Sequence, residues 1–262
     1  MCPDSYPAAM ESIGILAESD DADGRGAPGT SAIAERVAAA GAESVVGDAE
    51  DLLDRSLDAV VARGERGVLE FARRNAAVPI LPVDAGRGVR SIPASALDAA
   101  LPAAIDGEYE PRERTVLALT VGGERVGRAA FDAMLVTEEP AKISEYAVRA
   151  DGERVARFRA DGVVLATPAG SGGYGAAADG PVLAPGTGIS VVPVAPFATT
   201  HDHWVLDPER GVEFTVERDE GPVELLVDDR RCRTVPPRTP VTVAVDGSLS
   251  VLVGLHSKSH WP

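Results

Sequence analysis

The hydrophobic pattern of this chain changes a little past residue 100, and that change constrains the fold more than any other feature. Before it, short apolar runs alternate with stretches of helical period. Ser12-Ile-Gly-Ile-Leu16 reads as a strand. Residues 32–40 read as a helix capped by Thr30 or Ser31 and closed by Gly41. Ser44-Val-Val46 and Asp58-Ala-Val-Val-Ala62 follow as strands, and a turn at Gly64-Glu-Arg-Gly67 leads into a helix reaching Arg74. Val78-Pro-Ile-Leu-Pro-Val83 is the next strand and 95–101 the next helix. Strands separated by helices form parallel βαβ units, with ligand sites at the carboxyl ends of the strands. The loops at 64–67 and 84–88 occupy such positions.

The second half has another rhythm. Residues 115–121, 133–137, 146–149, 155–159, 162–166, 189–194, 214–216, 223–227 and 241–245 read as strands. Tight turns separate them, such as Val-Gly-Gly-Glu at 121–124 and Asp-Gly-Glu at 151–153. The expected fold class is α/β plus all-β. A Rossmann-like α/β domain over residues 1–103 precedes a β-sandwich domain over 104–262, whose tail is free to return to the first domain.

Charge excludes several functions. The formal net charge is -16, and the cations are almost all arginine, with lysine only at 142 and 258. A dense carboxylate surface with scarce lysine points to a salt-adapted proteome, or to an acidic protein of a GC-rich genome. Nucleic acids and anionic membranes need a basic face, so neither is an expected partner. No apolar run approaches the roughly 20 residues of a membrane span. The opening MCPDSYPAAMESIGIL lacks a basic segment followed by a long apolar one, so no export signal is expected. Cys2 and Cys232 are far apart and form no CxxC, which makes free thiols and a cytoplasmic location the expectation. His201 and His203 would share one face of a strand, but a third ligand at suitable spacing is missing, so no metal site is assigned.

The 57–75 stretch, LDAVVARGERGVLEFARRN, has the outline of a loop that cradles phosphate: an apolar run, two glycines, then a helix whose N-terminal N–H groups face an anion. The bland reading is two glycines that end a strand and admit a helix. Arg157-Phe-Arg-Ala-Asp-Gly-Val-Val-Leu-Ala-Thr-Pro-Ala-Gly-Ser-Gly-Gly-Tyr-Gly-Ala-Ala-Ala-Asp-Gly-Pro-Val182 is more distinctive. It closely resembles the DG…TPTGSTAYSLSAGGP stretch of the ATP-dependent NAD kinase family. With that register fixed, 57–75 falls where the family has its GGDGT segment, 78–92 where it has VPILGVNxGxLGFL, and 130–136 where it has ALNEVVI.

The resemblance implies NAD bound between an α/β domain and a β-sandwich, ATP and Mg²⁺ as further cofactors if the chain is active, and a homo-oligomer. It also implies substrate contacts from Gly64, Arg66, Gly67, Asp84, Asp132, Arg159, Asp161, Thr167, Gly170, Ser171, Tyr174 and Arg230. Asp161 also reads as the start of an Asp-Gly turn, and 230–233 as a solvated hairpin. The match is uneven. Arg66 stands where the family has its catalytic aspartate, Asp132-Ala133 replace its Asn-Glu pair, and Asp84 replaces the asparagine of the NxG loop.

Transfer of a γ-phosphoryl group to a ribose 2′-hydroxyl needs positioning, charge neutralisation and a base. A guanidinium stays protonated and can neither accept that proton nor ligate magnesium. Losing such a base removes about 10²–10⁴-fold in rate. The expectation is a binder of NAD or NADP with reduced or lost kinase activity, and no catalytic residue is assigned. The alternatives are an active kinase whose base has moved, with Glu65 as nearest substitute, and a protein that keeps only the fold.

Overall fold

The computed structural model describes residues 9–17, 29–139, 142–198 and 202–261. Cys2, residues 18–28 and His201 lie outside the described residues. The chain divides into two compact units, Met1–Glu113 with Leu249–Pro262, and Arg114–Ser248.

The first unit is α/β. Its elements are β1 (Ser12–Leu16), α1 (Thr30–Ala39), β2 (Glu43–Gly47), α2 (Ala49–Leu53), β3 (Ala59–Arg63), α3 (Gly64–Arg73), β4 (Ile80–Val83) and α4 (Leu97–Ile105). The strands pair in the order β4-β3-β1-β2, all parallel. β1, β3 and β4 are nearly continuous in apolar residues because helices cover the faces of a parallel sheet, whereas β2 at the edge is partly exposed. Ile33 and Val37 of α1 and Leu97, Ala100, Leu101, Ala104 and Ile105 of α4 are buried with Ile13, Ile15, Val61, Leu81 and Val83 in one core.

Three local expectations are corrected here. Helix α1 begins at Thr30 behind Gly29, with no side-chain cap, so Thr30 and Ser31 lie inside the helix. Gly64–Gly67 is the first turn of α3, not a separate turn before it. Helix α4 runs through Pro102 to Ile105, where the buried Leu101, Ala104 and Ile105 offset the hydrogen bond that proline removes.

The second unit is β-rich: β5 (Glu110–Val121), β6 (Glu124–Ala129), β7 (Asp132–Thr137), β8 (Ser144–Ala150), β9 (Glu153–Ala166), α5 (Tyr174–Ala177), β10 (Ile189–Pro196), β11 (Trp204–Leu206), β12 (Val212–Arg218), β13 (Val223–Val227), β14 (Arg230–Thr234) and β15 (Pro240–Val253). Antiparallel pairing runs β14-β13-β7-β9-β8-β12-β15, with β10 between β9 and β11. Alternate residues of these strands, among them Leu117, Leu135, Tyr146, Val163, Val191, Phe214, Val223 and Val241, enclose one apolar core.

Residues 155–166, which the sequence divides at Asp161-Gly162, form a single strand. Gly162 is required for close approach: a Cβ there would stand 2.5 Å from the Leu135 carbonyl oxygen. The basic 230–233 segment is β14, paired with β13 as a hairpin. The end of β15 returns to the first unit, where Val251 pairs with Ile80 in parallel. Among the described residues no helix is long and apolar enough to cross a membrane.

Candidate functional site

In the first unit, β3 runs directly into the first turn of α3 and β4 into the 84–88 loop, both at the carboxyl end of the parallel sheet. Gly64 follows β3 with φ +62 and has no atom near where a Cβ would stand, so backbone conformation alone asks for glycine. Gly67 lies against the β3 backbone, where a Cβ would be 3.4 Å from the Ala62 carbonyl carbon. Between them Glu65 and Arg66 are exposed on the first turn of α3, while Val68, Leu69, Phe71 and Ala72 bury the opposite face.

Glu65 is not directed at random. A Cβ added to Gly86 would stand 3.3 Å from its Oε1, which brings the carboxylate to the 84–88 loop. Partial burial of this carboxylate pushes its pKa above the ordinary glutamate value.

That loop begins at Asp84, which adopts φ +48, a conformation Asp tolerates better than most residues. Its amide donates to the Ile92 carbonyl at 2.9 Å, and its Oδ1 accepts from the Ala94 amide at 3.2 Å. The tail beyond β15 secures the same loop. Lys258 donates its amide to the Ser91 carbonyl at 2.9 Å, and its Nζ lies 3.8 Å from Asp84 Oδ1. Arg90 Nε donates to the Lys258 carbonyl at 3.2 Å, and Arg87 Nη1 to that of Trp261 at 2.7 Å. Sequence reasoning missed Arg87, Arg90 and Lys258, although one of only two lysines in an arginine-rich chain was a visible signal. Asp48 is the side-chain cap of α2, accepting from the Asp51 amide at 2.9 Å.

In the second unit, β9 ends at Ala166 and the chain folds into a compact loop. The Thr167 hydroxyl donates to the Ala130 carbonyl at 2.6 Å, and its amide to that of Phe131 at 2.9 Å. Gly170 rests on the same segment: a Cβ there would fall 2.1 Å from the Phe131 carbonyl oxygen. The Ser171 hydroxyl donates to the Pro168 carbonyl at 3.0 Å and accepts from the Leu183 amide at 3.0 Å. Thr167 and Ser171 are each 1% exposed. Asp132 is buried, and its Oδ2 lies 3.8 Å from where a Cβ on Gly173 would stand. Tyr174 is 60% exposed at the start of α5.

Asp132, Thr167, Gly170, Ser171 and Tyr174 are thus brought together. Arg159 and Asp161 are not part of that group. Asp161 is six residues before Thr167 along β9, about 20 Å at roughly 3.3 Å per residue. Arg159 pairs with Glu220 at 2.8 Å and lies over the Phe197 ring at 5.5 Å. Arg230 is exposed on β14, in register with Val227. Among the described residues no three His, Cys, Asp or Glu side chains cluster as metal ligands.

The family model for the ATP-NAD kinase C-terminal domain matches residues 132–250. The NAD kinase of Chlorobium limicola is 28% identical over 80% of this chain and 76% of its own length. That of Methanospirillum hungatei is 35% identical over 44% of this chain and 43% of its own length. This chain belongs to the NAD kinase family. Two solved NAD kinase family structures share its fold. Yeast NADH kinase complexed with NADH superposes with a TM-score of 0.76 over 97% of this chain and 85% of its own, at 17% identity. The Archaeoglobus fulgidus NAD kinase in complex with ATP gives 0.71 over 92% of each chain, at 22% identity.

Measured against the NAD kinase pattern quoted above, the two loops differ in kind. The 167–171 loop of this family member is tied to the Ala130–Phe131 segment through the Thr167 hydroxyl and amide, and to Pro168 and Leu183 through the Ser171 hydroxyl. The first turn of α3 instead presents a cation, Arg66, with a carboxylate one residue earlier at Glu65.

Proposed function

We propose that this NAD kinase family member binds a pyridine dinucleotide, NAD or NADP, and that phosphoryl transfer from ATP to the 2′-hydroxyl is reduced or lost. The reading is carried by Arg66: a permanent cation occupies the exposed first turn of α3 at the position of the family's aspartate. Support for retained binding comes from the 167–171 loop, whose hydroxyls and amides are held in place by bonds within the protein. Tyr174, exposed at the start of α5, offers its ring to the dinucleotide, suiting a stacked base or nicotinamide, while the buried Thr167 and Ser171 fix the loop that leads to it. Arg66 has a fork of donors matched to a phosphate, so NADP is the preferred ligand.

A second reading is favoured by Glu65. Its carboxylate reaches the Gly86 loop and has a raised pKa, the properties of a relocated base. Magnesium carried by nucleotide phosphates needs only one or two protein carboxylates, and Glu65 fits that demand where Arg66 does not. Neutralising phosphate charge is what the metal would supply.

One experiment separates the readings. The purified chain is incubated with ATP, Mg²⁺ and NAD in high salt, NADP formation is assayed, and nucleotide-dependent thermal shifts are recorded in parallel. A shift without turnover supports the binder. Robust turnover overturns it in favour of Glu65, and neither signal leaves only the fold. Calorimetry showing NAD bound as tightly as NADP removes the role given to Arg66.

A further inference from the structure

A buried carboxylate distant in sequence organises the 167–171 loop. Asp228 follows β13, is 9% exposed, and adopts φ +51. Its Oδ1 accepts from the Phe131 amide at 2.8 Å and the Asp132 amide at 3.1 Å, and its Oδ2 from the Ala130 amide at 3.1 Å. The Asp228 amide donates back to the Asp132 carbonyl at 2.9 Å. The segment linking β6 to β7 is therefore fixed through its N–H groups, while the Ala130 and Phe131 carbonyls take other partners. Those carbonyls hold the loop: Ala130 accepts from the Thr167 hydroxyl, Phe131 from the Thr167 amide, and the Phe131 carbonyl packs on Gly170. A charged acceptor with three donors is the strongest anchor this segment has.

We infer that Asp228 is a positioning residue for dinucleotide binding, acting through Ala130–Asp132 on Thr167, Gly170 and Ser171; this rests on the proposed function. The competing view is that Asp228 merely stabilises the β-rich unit. Glu224 supplies the comparison. It is another buried carboxylate, on β13, but it bonds to Arg231 and Thr234 and touches neither Ala130–Asp132 nor the loop.

Asp228→Asn keeps the left-handed backbone that Asn also tolerates, while turning an amide N–H₂ toward one of the three backbone donors. Calorimetric titration with NADP and NAD, well below the melting temperature of each variant, reads affinity apart from stability. The expected result is a loss of about tenfold or more for Asp228→Asn, with Glu224→Gln binding as the wild type despite a lowered melting temperature. Equal affinities for wild type and Asp228→Asn, or equal losses in both variants, would overturn the inference. Hydrogen exchange on the wild-type chain needs no variant to fold: on binding, the Ala130–Asp132 amides should gain protection together with those of 167–171. Protection of the loop alone would also overturn it. A wild-type chain that binds neither nucleotide removes the proposed function itself, a result distinct from either of these.

Discussion

The Thr167 hydroxyl and the Ala130 carbonyl, 37 residues apart, meet at 2.6 Å inside the β-rich unit, with both sides shut off from solvent. Replacing the hydroxyl by a methyl leaves that carbonyl without its donor in a dry site. Thr167→Val should therefore cost about 1–3 kcal/mol of unfolding free energy, measured by urea titration, more than its near-identical volume suggests. A loss below a few tenths would show that the bond carries little.

Neighbouring glycines should respond oppositely to one methyl group. At Gly170 an added Cβ falls 2.1 Å from the Phe131 carbonyl oxygen, whereas at Gly172 nothing lies within 4 Å. Neither has a positive φ, so the contrast is purely steric. Gly170→Ala should destabilise by about 1–3 kcal/mol and weaken dinucleotide binding, while Gly172→Ala should leave the melting temperature nearly unchanged. Equal shifts would contradict the packing of the loop on Phe131.

The order and type of most elements were legible because apolar runs bounded by glycine and proline report local structure directly, whereas the short α2, β6, α5 and β11 were not. The parallel strands β3 and β4 are the clearest case. What the sequence hid was set by distant partners. Asp161-Gly162 carries a turn signature, yet it lies within β9, where the Leu135 backbone, not a bend, excludes a side chain. Nothing in the sequence marks Asp228; that its carboxylate holds three amides near residue 131 depends on strand pairing between β13 and β7. Pro102 marks a helix end by local rules, and burial of α4 overrides them. Motif positions at the site were readable, but the arrival of Lys258 at Asp84 depends on where β15 ends.

Acid should unlock the β13–β14 edge. Hydrogen bonding to Arg231 holds the Glu224 carboxyl below its ordinary value of 4.5, against the opposing effect of burial. A depressed folded-state pKa contributes stability that is present above the unfolded value and lost as pH falls through the folded one. Stability should thus decline below about pH 4.5, and Glu224→Gln should flatten that part of the profile while lowering stability at neutral pH. An unchanged slope in pH-dependent urea unfolding would assign the decline to other carboxylates.

Salt should stabilise the chain. With a formal net charge of -16, self-repulsion opposes the compact state. Screening lengths shrink from about 10 Å at 0.1 M to about 3 Å at 1 M, so the melting temperature should climb steadily with KCl across that range. A flat or falling curve would remove the salt-adapted reading of the composition.

The sharpest test of the site is Arg66→Asp. The substitution returns a carboxylate to the exposed first turn of α3, between Gly64 and Gly67, without touching the buried Val68, Leu69 or Phe71. If the rest of the machinery is intact, NAD phosphorylation should rise by about 10²–10⁴-fold, the contribution of a positioned base. Preference for NADP over NAD should fall at the same time, because the guanidinium that would meet the 2′-phosphate is gone. Combining it with Glu65→Gln separates the two carboxylates. Gain that survives the second change belongs to the new aspartate. Wild-type turnover abolished by Glu65→Gln alone would instead make Glu65 the working base and Arg66 a bystander on the same turn.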